Sequence, residues 1–155
     1  MARFTSMVDV EAPVDRVWRR ITDWPEHGRW IPLTTVRVTS VSPEGVGARF
    51  VGRSAIGPVG FDDPMEVDEW SAPAESRPGH CRVRKQGRVV LGWAEFEVGA
   101  RSGGTRVTWT EEIELAPARL TRPFGRLIAA GGKFGFDRAL RTMARELEAE
   151  VAAGG

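Results

Sequence analysis

The sequence predicts an α+β domain: one strand, small helices, a meander of six further strands and a long C-terminal helix. Three observations carry this. Phe4, Ser6, Val8 and Val10 alternate with Arg3, Thr5, Met7 and Asp9, the period of a half-buried strand. From Leu33 to Leu115, short extended runs are punctuated by turns at Gly45-Val46-Gly47, Gly57-Pro58-Val59-Gly60, Gln86-Gly87 and Ser102-Gly103-Gly104. From Arg119 to Val151, apolar residues recur at spacings of three and four: first Leu120, Phe124, Leu127 and Ile128, then Phe136, Leu140, Met143, Leu147 and Val151.

The elements follow in order. Ala12-Pro13 opens a short helix, with Val14, Val17, Trp18 and Ile21 on one face, and Trp24-Pro25 ends it, because the residue before a proline is pushed out of the helical region. Glu26 to Pro32 has room for one further helical turn. Six strands are predicted, at Leu33 to Val41, Ala48 to Ile56, Phe61 to Trp70, His80 to Lys85, Arg88 to Val98 and Thr105 to Leu115. The short turns make successive strands antiparallel neighbours. In the long helix, Gly131, Gly132 and Gly135 predict an interruption with space beneath it, since each glycine in a helix interior costs roughly 0.5–1 kcal/mol relative to alanine. A plain kink that follows a curved sheet is the other reading.

The chain of 155 residues suits one domain over residues 1–151, with a disordered tail at 152–155. Its 22 basic and 21 acidic residues are mixed along the chain without a basic block, so nucleic acid is not an expected partner. A single cysteine, Cys81, excludes an internal disulfide, and there is neither a signal-like start nor an apolar run of membrane-spanning length. A cytoplasmic protein, monomer or homodimer, is expected. With six tryptophans and no tyrosine, no phenol can serve in a site.

Hairpin geometry places side chains. A two-residue turn at Gln86-Gly87 sets Val83 opposite Val90 and defines an apolar face of Cys81, Val83, Val90, Ala94, Phe96 and Val98. A turn at Ser102 and Gly103 sets Val98 against Val107, Phe96 against Trp109 and Ala94 against Glu111, which brings the Glu111 carboxylate onto that face. Closing the turn at Gly57 to Gly60 puts Phe50, Ser54, Asp63, Met65 and Val67 on one face; a bulge at Pro64 would turn Asp63 away.

The segments Ala12-Pro13-Val14-Asp15-Arg16-Val17-Trp18, Thr22-Asp23-Trp24-Pro25 and Trp30-Ile31-Pro32 resemble the opening of the START-like, or SRPBCC, superfamily, in particular its polyketide cyclase/dehydrase and lipid transport branch. Gly104 to Trp109 is similar to that family's last strand and Phe136 to Leu147 to its final helix. The resemblance implies a helix-grip fold, a curved seven-strand antiparallel sheet around a long C-terminal helix with two short helices after the first strand. It also implies a mostly apolar cavity between helix and sheet, for lipids, polyketides or other aromatic or polycyclic molecules. It carries no universal catalytic motif and no cofactor.

Site residues are therefore read from this chain. Glu111 on an apolar face would have a raised pKa or a charged partner, as a general acid or base needs; a register shifted by one would leave it in water beside Glu112 and Glu114. Asp63 with Ser54 is a second polar pair, and Arg53 or Arg37 would suit an enolate if either faced inward, although strand arginines usually face water. Cavity walls are assigned to Trp30, Phe50, Met65, Val83, Val90, Phe96 and Trp109 from the sheet side. Phe124, Leu127, Ile128, Gly131 and Phe134 are assigned as the roof from the helix. Trp93 falls on the outer face, and Cys81 reads as an inert buried thiol. His27 and His80 read as solvated loop residues, and no ligand-like spacing for a metal occurs. Three functions remain open: binding of a small hydrophobic molecule, a cyclase or aromatase using a carboxylate in the same cavity, and a co-chaperone-like surface over a closed interior.

Overall fold

The computed structural model describes residues 1–154. Strand β1 (Ala2–Val10) leads to helix α1 (Val14–Ile21), a 3-10 turn over Trp24–Glu26 and the single-turn helix α2 (His27–Trp30). Strands β2 (Thr34–Val38), β3 (Arg49–Ile56), β4 (Val59–Ser71), β5 (Gly79–Gln86), β6 (Val90–Arg101) and β7 (Gly104–Leu115) follow. The chain closes with α3 (Ala118–Thr121), a 3-10 turn over Arg122–Phe124 and the 28-residue helix α4 (Gly125–Ala152). The seven strands form one antiparallel sheet in the order β1-β7-β6-β5-β4-β3-β2, so the meander is extended at one edge by the N-terminal strand.

The concave face carries the core. Alternation in β1 buries Phe4, Ser6 and Val10 and exposes Arg3, Thr5 and Asp9. Against the sheet pack Val17, Trp18 and Ile21 of α1, with Ala139, Leu140, Met143, Ala144 and Leu147 from the second half of α4. Each of Leu140, Met143 and Leu147 is fully buried, a contribution of roughly 1.5–3 kcal/mol apiece.

Strand faces match the hairpin reasoning more closely than the turns do. The β6–β7 register is Phe96 to Trp109 and Ala94 to Glu111. Between β5 and β6, however, Val83 faces Ala94, not Val90, because residues 87–90 make a longer connection. That shift is four residues, an even number, so every side chain keeps its face. The bulge predicted at Pro64 lies instead between Val67 and Glu69; pairing of β4 with β5 begins only at Met65, and Pro64 disturbs no ladder on that side.

The long helix differs most from expectation. Its glycines do not interrupt it: α4 is continuous from Gly125, and the break falls earlier, at Arg122-Pro123. Nor is there space beneath, for α4 lies along β1 and Gly132 rests on the Phe4 ring. A Cβ added there would stand 2.9 Å from Phe4 Cδ1 and closer still to Cε1, whereas one at Gly131 or Gly135 would meet nothing within 4 Å. Gly132→Ala should therefore destabilise the fold by about 1–2 kcal/mol through overpacking. Gly131→Ala and Gly135→Ala should each stabilise it by about 0.5–1 kcal/mol, as measured by urea denaturation. At the C-terminal end Ala152 completes α4, and the Ala153 and Gly154 N–H groups donate to the Ala149 and Val151 carbonyls; Gly155 lies outside the described residues.

Candidate functional site

Because α4 follows the β1 edge, the concave face of the remaining strands is only partly covered. A cavity of about 210 Å³ lies there, between the inner faces of β2 to β7, the α2 segment and Phe136 of α4. Its walls are aromatic and stacked: Trp24 lies 4.2 Å from Phe50, and Phe96, Trp109 and Phe136 form a continuous pile with 5.2 Å between successive rings. A larger hollow of about 690 Å³ between α1 and residues 73–78 is open surface, into which no buried unpaired polar atom turns.

Three charged side chains meet inside this apolar shell. Asp63 on β4, Lys85 on β5 and Glu111 on β7 all line the cavity, because each falls on the inward parity of its strand. The Lys85 ammonium donates to Asp63 Oδ2 at 2.7 Å, and both side chains are nearly excluded from solvent, at 7% and 14% exposure. A weaker contact at 3.7 Å reaches Met65 Sδ, which leaves a Lys85 donor toward the cavity. Asp63 Oδ1 is buried with no hydrogen-bond partner among the described residues. Trp109 Nε1 donates to Glu111 Oε1 at 3.1 Å.

Burial pushes the Glu111 pKa up, the nearby Asp63 charge adds to this, and Lys85 and the Trp109 donor only partly offset it. For Lys85, burial alone would favour the neutral amine. The Glu111 and Asp63 carboxylates outweigh it and hold the ammonium above the ordinary lysine value, so it is a charged donor and no nucleophile.

His27 is a correction to the solvated-loop reading. It is 5% exposed on α2, lines the cavity, and places its ring 4.5 Å from Trp30. Its Nε2 lies 2.7 Å from the Ile21 carbonyl, which can only accept, so Nε2 carries the proton. Burial lowers its pKa to about 4, against a small opposing effect of that bond, and the imidazole is neutral near pH 7. His80, also read as a loop residue, lies within β5, half-buried, its ring nitrogens 3.6 Å from Glu69 and Glu95.

Of the residues assigned to a ligand, the structure brings Phe50, Ser54, Asp63, Met65, Val83 and Val90 to the cavity, together with Phe96, Trp109 and Glu111. Trp30 is buried but lies behind His27, outside the lining. Phe124, Leu127, Ile128, Gly131 and Phe134 do not reach it: Phe124, Leu127 and Phe134 face solvent, Leu127 71% and Phe134 69% exposed, and Ile128 is half-buried beside Ala2 and Ile113 at the β1–β7 edge. Arg37 and Arg53 face outward, Arg53 pairing with Asp62 at 3.0 Å. Ser54 is no free donor either, because Thr34 donates to the Pro32 carbonyl and so takes the Ser54 proton in their 3.0 Å contact. Trp93 lies outside under Arg3 and Arg82, and the Cys81 thiol is pushed up by burial. Lys85 was missed, although the alternation Cys81, Val83, Lys85 already pointed it inward.

The sequence matches, over residues 1–148, the family described as polyketide cyclase / dehydrase and lipid transport. The chain belongs to this family. Comparison with curated proteins finds no match. Among solved structures, a protein from Thermus thermophilus is similar with a TM-score of 0.76 at 17% identity, covering 99% of each chain. The Zhui aromatase/cyclase from a Streptomyces species has a TM-score of 0.72 at 19% identity, covering 99% of this chain and 98% of that one. A polyketide cyclase-like protein from Corynebacterium glutamicum has a TM-score of 0.62, also at 19%, covering 96% and 93%. At such identities the likeness is one of fold. Among the described residues, no helix is long and apolar enough to cross a membrane, and no cluster of His, Cys, Asp and Glu could hold a metal.

Proposed function

We propose that this family member binds a small, largely apolar molecule in the cavity, with the ligand's polar end on Lys85, Asp63 and Glu111. The observation that carries this is the charged cluster inside an aromatic cavity, with a Lys85 donor to spare and Asp63 Oδ1 buried without a partner among the described residues. Such groups, costly to leave unmet, are satisfied by a ligand bearing both an acceptor and a donor oxygen. A carbonyl with a neighbouring hydroxyl or enol fits. A dry cavity of roughly 150 Å³ takes one benzene ring, so about 210 Å³ suits one or two rings. An interior holding this cavity also speaks against the co-chaperone reading, which requires a closed core.

The same cluster favours a second reading, cyclisation or aromatisation of a polyketone. The Glu111 carboxylate would take a proton from a carbon between two carbonyls while the Lys85 ammonium receives the enolate oxygen. The enolate carbon would then bond to a second carbonyl, whose oxygen takes back the proton held by Glu111 and becomes a hydroxyl. Glu111 would next remove a second proton from the same carbon and pass it to that hydroxyl, which leaves as water as the C=C bond forms. Lys85 here replaces Arg53 and Ser54 as the donor.

Native mass spectrometry of protein purified from its own host should show one retained small molecule per chain. Gly52→Leu, which projects a side chain from β3 into the cavity, should abolish that retention. A wild-type protein that carries nothing and takes up no aromatic ketone in titration would overturn the binding reading. Turnover of a short polyketone, reduced at least roughly a hundredfold in Glu111→Gln, would decide for the enzyme.

A further inference from the structure

Large apolar side chains that face solvent are not scattered over this molecule. Antiparallel pairing brings the start of β2, the β3–β4 turn, the β5–β6 connection and the end of β7 to one end of the sheet, through Thr34 with Ser54, Ile56 with Val59 and Val90 with Leu115. There Leu33, Ile56, Val59, Val89 and Leu91 stand exposed on separate tips, Ile56 at 72% and Val59 at 75%. From the same end, where Thr121 Oγ1 donates to the Leu115 carbonyl, project Leu120 of α3, Phe124 of the following 3-10 turn and Leu127 of α4. Beyond these, among the described residues only Met1, Met7, Val41, Val46 and Phe134 are comparably exposed. Leu33 even holds a φ of 59°, costly for leucine, with its side chain in water.

The charge left unpaired at this end is positive. Arg88, Arg119 and Arg126 are exposed and have no acidic partner among the described residues, and the acids nearby, Asp62 and Glu114, are already paired with Arg53 and Arg122. An open hollow of about 500 Å³ beside the first turn of α4 is lined by Arg3, Arg122 and Arg126. The cavity runs toward these tips, for Thr34, Ser54, Phe61 and Val90 belong to its lining.

We infer that this end docks on an anionic lipid bilayer, with the apolar tips in the interface and the arginines on lipid phosphates. Interspersed apolar and cationic side chains are what such a surface attracts. A second copy fits poorly, since a two-fold contact would set the same arginines against each other without acids to receive them. The apolar side chains project from separate tips and do not line a groove, which suits a fluid interface better than a fixed protein partner.

The test is co-sedimentation with vesicles, which needs no knowledge of the cavity's ligand. Wild-type protein should partition onto phosphatidylcholine vesicles containing ~30 mol% phosphatidylglycerol and not onto pure phosphatidylcholine, with binding weakened by salt. Arg88→Glu/Arg119→Glu/Arg126→Glu should reduce partitioning at least tenfold, and Phe124→Ser/Leu127→Ser should reduce it severalfold, both with unchanged circular dichroism. Gly52→Leu should bind vesicles like wild type, so a failed cavity and a failed docking surface give different results. Absence of partitioning, or partitioning unchanged by the arginine reversals, overturns the inference. So does a concentration-dependent dimer in ultracentrifugation that Phe124→Ser/Leu127→Ser dissolves, since the face would then belong to a second copy.

Discussion

Lys85→Met is expected to destabilise the protein by about 3–5 kcal/mol at neutral pH, because it leaves Asp63 and Glu111 buried without their counter-charge. For a domain whose whole stability is of order 5–15 kcal/mol this is a severe loss, read as a lowered urea midpoint with an unchanged slope. The cause lies in stranded charge more than in lost packing, since methionine keeps most of the stem. Two results separate these. Lys85→Met/Asp63→Leu, which removes both members of the pair, should recover most of the loss, as replacement of a buried ion pair by apolar groups is often neutral. The pH dependence carries the second. Removing the ammonium raises the already elevated Glu111 pKa further. A carboxyl raised in the folded state contributes stability that is present below its unfolded value and is lost as pH rises through the folded one. The deficit of Lys85→Met should therefore widen from acid toward alkaline pH, whereas a packing defect would stay constant. If the double variant is as unstable as the single, the charge cluster is not what the substitution disturbs.

A cluster this costly to break and imperfectly satisfied is better understood as a site than as a fastening. Apolar residues of similar volume would hold β4, β5 and β7 together at least as well. The unspent Lys85 donor and the unpaired Asp63 Oδ1 are the particular features that a purely structural pair does not need.

Parity decided what was legible in the sequence. Glu111 was placed inward from the two-residue turn at Ser102-Gly103 alone, and Cys81, Val83 and Val90 kept their face although the β5–β6 connection was two residues longer than read. An even error in register leaves every side chain on its side of the sheet. Helical periodicity was less informative, because it reports that a face is apolar and not what covers it. Leu140, Met143 and Leu147 and the stripe Phe124, Leu127, Ile128 both keep separations of three and four, yet the first set is fully buried while Phe124 and Leu127 face solvent and Ile128 is half-buried at the β1–β7 edge. What separates them is the line α4 takes along β1, fixed by the contact of Gly132 with Phe4, a tertiary feature with no local signature. His27 escaped for a similar reason. Its burial depends on the single turn of α2 folding back under Trp24 and Trp109, and nothing in Glu26 to Trp30 states that.

His27 should make the fold acid-sensitive well above the pH at which carboxylates titrate. Its pKa is about 4 in the folded protein against 6.5 for an ordinary histidine, with burial as the dominant cause. Between these values the unfolded chain binds a proton that the native state refuses, so stability rises with pH across that window and is lost as pH falls through it. From pH 7 to pH 5 this amounts to about 2 kcal/mol, and to about 3 kcal/mol by pH 4. Glu111 acts in the opposite direction, since its folded pKa is raised, so the wild-type profile alone would understate the effect. The informative quantity is the difference between wild type and His27→Gln, whose amide N–H can still donate to the Ile21 carbonyl without titrating. Urea midpoints measured at about pH 7, 6 and 5 should show the wild type losing about 2 kcal/mol more than the variant over that range. Parallel profiles would mean that the imidazole is reached by water or by a counter-charge, and that this wall of the cavity is not sealed. Because the same ring lines the ligand cavity, a filled cavity should steepen the difference: a ligand packed on His27 leaves still less room for a hydrated imidazolium.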